Sequence, residues 1–427
     1  ITMDVSENNK QTYTQGRLYQ TERKDNSITA DTIYTKVSIN APNVDYVGGV
    51  AGKNFGQISD IIVSTDSITG KDYVGGLVGQ NEGRISATNV QVSNINANNY
   101  VGGVAGLNGG TIFASKVEHT NITASADEGF AGGIAGSNQN SDKNVATISS
   151  PYTNGVAITA NGNTVAAITG YNNGKIIAGI RGNSGTIEIY GTTINQTSTK
   201  APTGNQDLEE KSFYAGFVTA QNFGTIEFGG YNKNILTIKD GSKINFVFDA
   251  GYDGRSNITS LYVGTIAGYN SGAITNPTIK DCSPLNLDVT FVTSAINNLY
   301  VGGLVGVNTT TGSLRNVKSI NNNDLSLDVK AGASQNVKVL GTAKVFAGGI
   351  VSKNDGFVSG TTNKTSVKSN VYVNNPTPSS IGGIVALNNK NGVVYNFNYA
   401  QLNNTQNPTG GVCAASITDW LWVTDSE

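Results

Sequence analysis

Hydrolytic or metal chemistry needs carboxylates, imidazoles or thiols held close together, and this chain offers few such groupings. One adjacent acidic pair is Glu209-Glu210 in "NQDLEEKS". Glycoside hydrolysis takes two carboxylates flanking the scissile bond, but a solvated polar loop accounts for this pair more simply. "FDAGYDGRS" gathers Asp249, Asp253 and Arg255 within a few residues, which a turn with a surface ion pair explains as well. No Asp-Asp pair of the kind used by pectin hydrolases is present. The sole histidine, His119, excludes a His-rich metal site and the H-E-x-x-H helix of metallopeptidases. Alternation around it predicts a solvent-facing strand position. Cys282 and Cys413 are the only cysteines, too few for a disulfide framework; buried thiols or a single pairing both remain open. A lyase using Lys or Arg as base leaves little local signal and stays open too.

Aromatic residues give the other chemistry, the stacking of ring faces on the C–H faces of sugars. "YNFNYA" places Tyr395, Phe397 and Tyr399 at alternate positions, on one face of any continuous strand. Trp420 and Trp422 in "WLWV" alternate likewise, as do Phe246 and Phe248. Tyr231, Tyr252 and Tyr372, with Tyr190, fall in insertions or connecting segments. Two competing roles stand beside binding. An alternating aromatic strand can face the core, and the Trp pair can plug the open end of a solenoid.

These residues need a scaffold, and the composition says which kind. The 427 residues include 53 Gly, and only 14% are charged, with a net charge of -2. Gly, Asn, Thr, Ser, Val and Ile favour turns and strands over helices. The near-neutral balance gives no electrostatic footprint for nucleic acid or an anionic membrane. No apolar stretch is long enough to span a bilayer. The opening "ITMDVSENNK" reads as the start of a mature or excised fragment, with no signal peptide and no wall-anchoring tail.

The scaffold is written as a repeat. The phrase "YVGGLVGQNEGRIS" at 73–86 recurs about ten times, so that Asn54, Asn81, Asn108, Asn138, Asn172, Asn222, Asn270, Asn308, Asn354 and Asn388 fall into one column. The position four before each Asn is always aliphatic, from Val50 and Leu77 to Ile384. Eight before it stands an aromatic residue in most copies, such as Tyr46, Tyr73 and Tyr100. Each copy reads as a short alternating strand, an Asn-x-Gly turn and a second strand. No copy can bury its apolar face alone, so stacked copies must share one interior. The spacings begin at 27 residues, room for about three strands and three turns. The Asn column is expected to form a ladder of amides at one corner.

These phrases resemble the GLUG motif, Gly-Leu-aliphatic-Gly-x-Asn-x-Gly, most closely at "GGLVGQNEGRI" (75–85) and "GGLVGVN" (302–308). GLUG arrays occur in large secreted and surface proteins of bacteria, including adhesins. The size, the long insertions and the missing catalytic set are also similar to the tapirins. That resemblance implies an extracellular adhesin that binds cellulose.

The expected fold is all-β: one right-handed parallel β-helix of about ten to eleven coils over 46–400. Residues 1–45 are expected to form a cap or lead-in, and 401–427 to close the far end. The segments 177–213, 228–261, 275–299 and 314–345 are expected as loops. The expected function is binding, without catalysis, metal or cofactor, of an insoluble polysaccharide such as cellulose. The expected ligand-binding residues are Tyr395, Phe397, Tyr399, Trp420, Trp422, Tyr231, Tyr252 and Tyr372. A stalk recognising host or matrix protein, and a polysaccharide lyase or hydrolase, are the alternatives. The chain is expected to be a monomeric, secreted or surface-exposed piece of a larger protein, with no nucleic acid partner and no membrane insertion.

Overall fold

A computed structural model describes residues 31–403, apart from 35–37, 127–128, 143, 163, 180–184, 199–210, 230–234, 240, 249–257, 280–284, 292–295, 320–323, 334–343, 363–364 and 375–379. Every strand pairing among these residues is parallel, and equivalent strands of successive repeats lie side by side. The molecule is a parallel β-helix, of the right-handed form that parallel crossovers take.

One coil shows the plan. Tyr73–Gly75 forms a strand of the aromatic sheet, and a two-residue bend leads to Val78–Asn81 in the amide sheet. The Asn-x-Gly turn then leads to Arg84–Ser86, and a corner to Asn89–Ala97, both in a third and broader sheet. The aromatic and amide sheets contain ten strands each, and the broad sheet contains 27. At about 4.8 Å per rung, a ten-strand sheet extends roughly 45 Å.

Period-two alternation decides which side chains turn inward. Val74, Leu77 and Val78 are fully buried, and so are Ile85, Val90, Val92 and Ile95 along the same coil. The aliphatic column four before each Asn lies in this core from Val50 to Ile350, with Ile384 packed against it. Burying one such side chain contributes about 1.5–3 kcal/mol. Because each rung adds its own set, the interior lengthens without widening.

Glycine holds the aromatic and amide sheets close. A Cβ on Gly79 would sit 2.6 Å from the Val47 amide nitrogen and 2.8 Å from the Tyr73 carbonyl oxygen. Both contacts are with backbone, which cannot swing aside, so this face has room only for hydrogen.

Two further corners use the left-handed region. Asp60, Ala87, Ala114 and Ser150 have φ of 57°, 53°, 49° and 51°; later coils place Asn276, Asn316 and Asn396 there. His119, with φ of 50°, occupies another corner, where Gly155, Gly191 and Gly241 follow in later coils. The expectation for His119 is corrected here: it is exposed, but it sits at a turn and not within a strand.

The presumed loops also differ from expectation. Thr186–Tyr190, Thr193–Ser198, Ile235–Lys239, Lys243–Phe248, Leu285–Phe291 and Asp324–Ala333 are strands of the broad sheet. In Thr186–Tyr190 the partly exposed Thr186, Glu188 and Tyr190 alternate with buried Ile187 and Ile189. The sheet also starts ahead of residue 46, since Asp31–Tyr34 pairs with Ile61–Ser64.

Candidate functional site: aromatic files on the rod surface

The aromatic column lies outside the core. Tyr46, Tyr73, Tyr100 and Phe130 are half-buried and stack with centroids 4.9, 4.8 and 5.1 Å apart, tilted by no more than 10°. A second run, Tyr214, Tyr262, Tyr300 and Phe346, repeats this at 5.1, 5.2 and 4.9 Å. Parallel register forces the stacking, because each ring stands directly over its equivalent one rung below. Partial burial pushes the Tyr73 and Tyr300 phenols up, and the Tyr214 phenol up to about 12. The faces of inner rings are used by their neighbours, so the ladder offers solvent its edges and hydroxyl tips.

A different geometry appears where Thr164 interrupts the column. Tyr171, one residue before a ladder Asn, sits edge-on to Phe130 at 5.9 Å. Phe223, one residue after the next ladder Asn, lies 5.4 Å from Tyr171 and 5.7 Å from Tyr269, tilted by 30° and 40°. These three rings come from consecutive rungs, since Tyr171 pairs with Gln221 and Gln221 with Tyr269. Phe223 is 42% exposed. These rings are less flush than those of the ladder, and Tyr269 also meets Tyr214 and Tyr262 edge-on at 5.6 and 6.4 Å. Burial raises the Tyr171 and Tyr269 phenols, so both are neutral hydrogen-bonding groups in neutral water. Sequence reasoning missed this platform because the position before the ladder Asn varies; the signal was aromatic residues in two copies.

The predicted residues fare unevenly. Tyr395 is 51% exposed and ends the strand Val393–Tyr395. Phe397 is only 2% exposed and belongs to the core. Its assignment as a surface ligand is corrected: Asn396, with φ of 61°, turns the chain between them, so the two rings do not share a face. Phe246 is likewise fully buried. Tyr231, Tyr252, Trp420 and Trp422 lie outside the described residues, as do the side chains of Tyr372 and Tyr399. Cys282, Cys413, Glu209, Glu210, Asp249, Asp253 and Arg255 lie outside them too. Tyr190, assigned to an insertion, stands in the broad sheet 5.6 Å from Tyr152.

The amide column forms the predicted ladder. Each Asn from Asn54 to Asn354 donates its Nδ2 to the Oδ1 of the next, in nine consecutive bonds of 2.7–2.9 Å. The turn backbone is tied in as well, as where Asn54 Oδ1 accepts the Gly56 amide at 3.2 Å. Comparison with protein families matches the model described as the GLUG motif to residues 297–323. The chain thus carries a GLUG motif. The matched GLUG segment contains the Tyr300–Gly302 rung and the ladder residue Asn308, whose equivalents pair in register along the rod. No curated protein and no solved structure matches the chain.

Among the described residues, no three of His, Cys, Asp and Glu converge as a metal-binding group. None of their helices is long and apolar enough to cross a membrane.

Proposed function

We propose that this chain is a non-catalytic extracellular adhesin that holds an insoluble polysaccharide, cellulose or a related plant glycan. The GLUG repeats and the β-helix fit an adhesin-like surface protein. The polysaccharide reading is carried by the platform of Tyr171, Phe223 and Tyr269, one exposed and two partly exposed rings on three successive rungs. Ring faces presented this way suit the C–H faces of sugar residues, and the phenol groups suit their hydroxyls. The rigid ladder beneath sets the rings before the ligand arrives, which lowers the ordering cost of binding. Exposed Phe55 and Tyr395, at 74% and 51%, add contacts elsewhere on the rod. Many weak contacts on one rigid body add through effective concentration, which suits an insoluble, repetitive ligand. The resemblance to tapirins points to the same ligand class.

The experiment is a depletion assay on microcrystalline cellulose and on insoluble xylan, with immobilised matrix proteins alongside. Loss of the chain from solution onto a polysaccharide supports the reading. Retention only on protein, or release of reducing sugar from the glycan, overturns it.

A further inference from the structure

The broad sheet carries a second surface of different chemistry. Thr69, Asn96, Thr123, Thr159 and Asn195 are register partners on five successive rungs. A neighbouring file, two residues earlier on each strand, runs from Ser67 through Asn94, Asn121 and Ala157 to Thr193. All of these side chains reach solvent in part or fully. Between the two files lie Ile68, Ile95, Ile122, Ile158 and Ile194, each fully buried. The facet therefore rests on a packed isoleucine ladder and cannot sag.

Over these rungs neither file contains a charged side chain; Lys243 follows Thr193 on the next rung. The amides are held in place before any ligand binds. Asn121 Nδ2 donates to Asn94 Oδ1 at 3.2 Å, and Asn245 Nδ2 donates to Asn195 Oδ1 at 3.0 Å. The Asn94 and Asn121 amides keep donor and acceptor capacity beyond the bond between them. Apart from Ala157, polar groups thus repeat about every 4.8 Å along the rod and about every 6.7 Å across it.

We infer that this facet, from Ser67 to Asn195, is a hydrogen-bonding track for one straight, uncharged β-linked polysaccharide strand lying along the rod axis. The inference rests on the polysaccharide reading above and names a face and an orientation for it. The charge match selects the occupant. Hydroxyl and amide groups without ionic partners suit a neutral polyhydroxylated chain, whereas a polyuronate or a charged protein would leave its charges unanswered. A rung is also close to the length of one sugar residue in an extended β-linked strand, so adjacent rungs can meet adjacent sugars.

The test is affinity electrophoresis through gels containing hydroxyethylcellulose or polygalacturonate, at low and high salt. The full chain is compared with Thr123→Lys/Thr159→Lys, Thr123→Val/Thr159→Val and Phe223→Ala, each checked for folding by its thermal melt. The inference expects retardation by hydroxyethylcellulose that salt leaves unchanged. It also expects at least a tenfold weakening in the double Lys variant and a smaller loss in the double Val variant, which removes hydroxyls and keeps shape. If the Lys variant fails to fold, the Val variant decides. Wild-type retention in the double-Thr variants with loss in Phe223→Ala overturns the track and leaves the polysaccharide reading standing. Retardation by polygalacturonate alone, weakened by salt, also overturns the track. No retardation by either polymer overturns both.

Discussion

Asn81 and Asn108 stand 27 residues apart in the chain and 2.8 Å apart in space, the Nδ2 of the first donating to the Oδ1 of the second. Both are fully buried. Each amide therefore answers a neighbour on either side, and removing one leaves two others short.

Substituting Asn108 by Ala should cost roughly 2–3 kcal/mol, because the Asn81 donor and the Asn138 acceptor both lose a buried partner. Asn388→Ala, at an exposed position, should cost well under half of that. Urea unfolding midpoints of the two variants check the order; equal shifts would contradict the ladder's role.

Ala87 sits exposed at φ of 53°, a conformation that disfavours L residues. Asn tolerates it, and the same type of corner carries Asn276, Asn316 and Asn396 further along. Ala87→Asn should stabilise the chain by about 0.5–1 kcal/mol and Ala87→Val should destabilise it. The thermal midpoint should move up for the first and down for the second.

The Tyr214 phenol, pushed up to about 12 mainly by burial, gives a stability term with a defined sign. A raised phenol value means the folded chain favours the neutral form. The contribution is complete below the ordinary value of 10.0 and is lost as pH climbs through about 12. Tyrosinate absorbance should show a late-titrating group that Tyr214→Phe removes. Wild-type stability should fall across this window.

Phe223→Ala should weaken retention on a polysaccharide by about five- to tenfold, near 1 kcal/mol, with little change in stability for a ring 42% exposed. Phe397→Ala should do the reverse, costing about 3–5 kcal/mol of stability while retention per folded molecule is unchanged. Retention measured beside a melting curve separates the two.

Much of this architecture was legible because it is repetitive in one dimension. The Asn and aliphatic columns recur with little variation, and parallel stacking turns each column into a file of touching side chains. Asn81 over Asn108 and Leu77 over Val104 follow from that alone. What escaped notice lacks such a column. Ala87 gives no sign of its left-handed backbone. Asn396 does favour that conformation, but "YNFNYA" reads as an unbroken alternation, which puts Phe397 on the same face as Tyr395, whereas the turn at Asn396 buries it. Strands such as Thr193–Ser198 look like loops because their outward residues are polar. The Tyr171 platform depends on rings from two different columns meeting at a gap left by Thr164.

The amides of the Asn file all point the same way, from Asn54 toward Asn388. A duplicated coil inserted between any two rungs would receive a donor on one side and offer one on the other. The rod can therefore change length by whole copies, with no junction to redesign, and reach becomes a property adjustable by simple gene duplication.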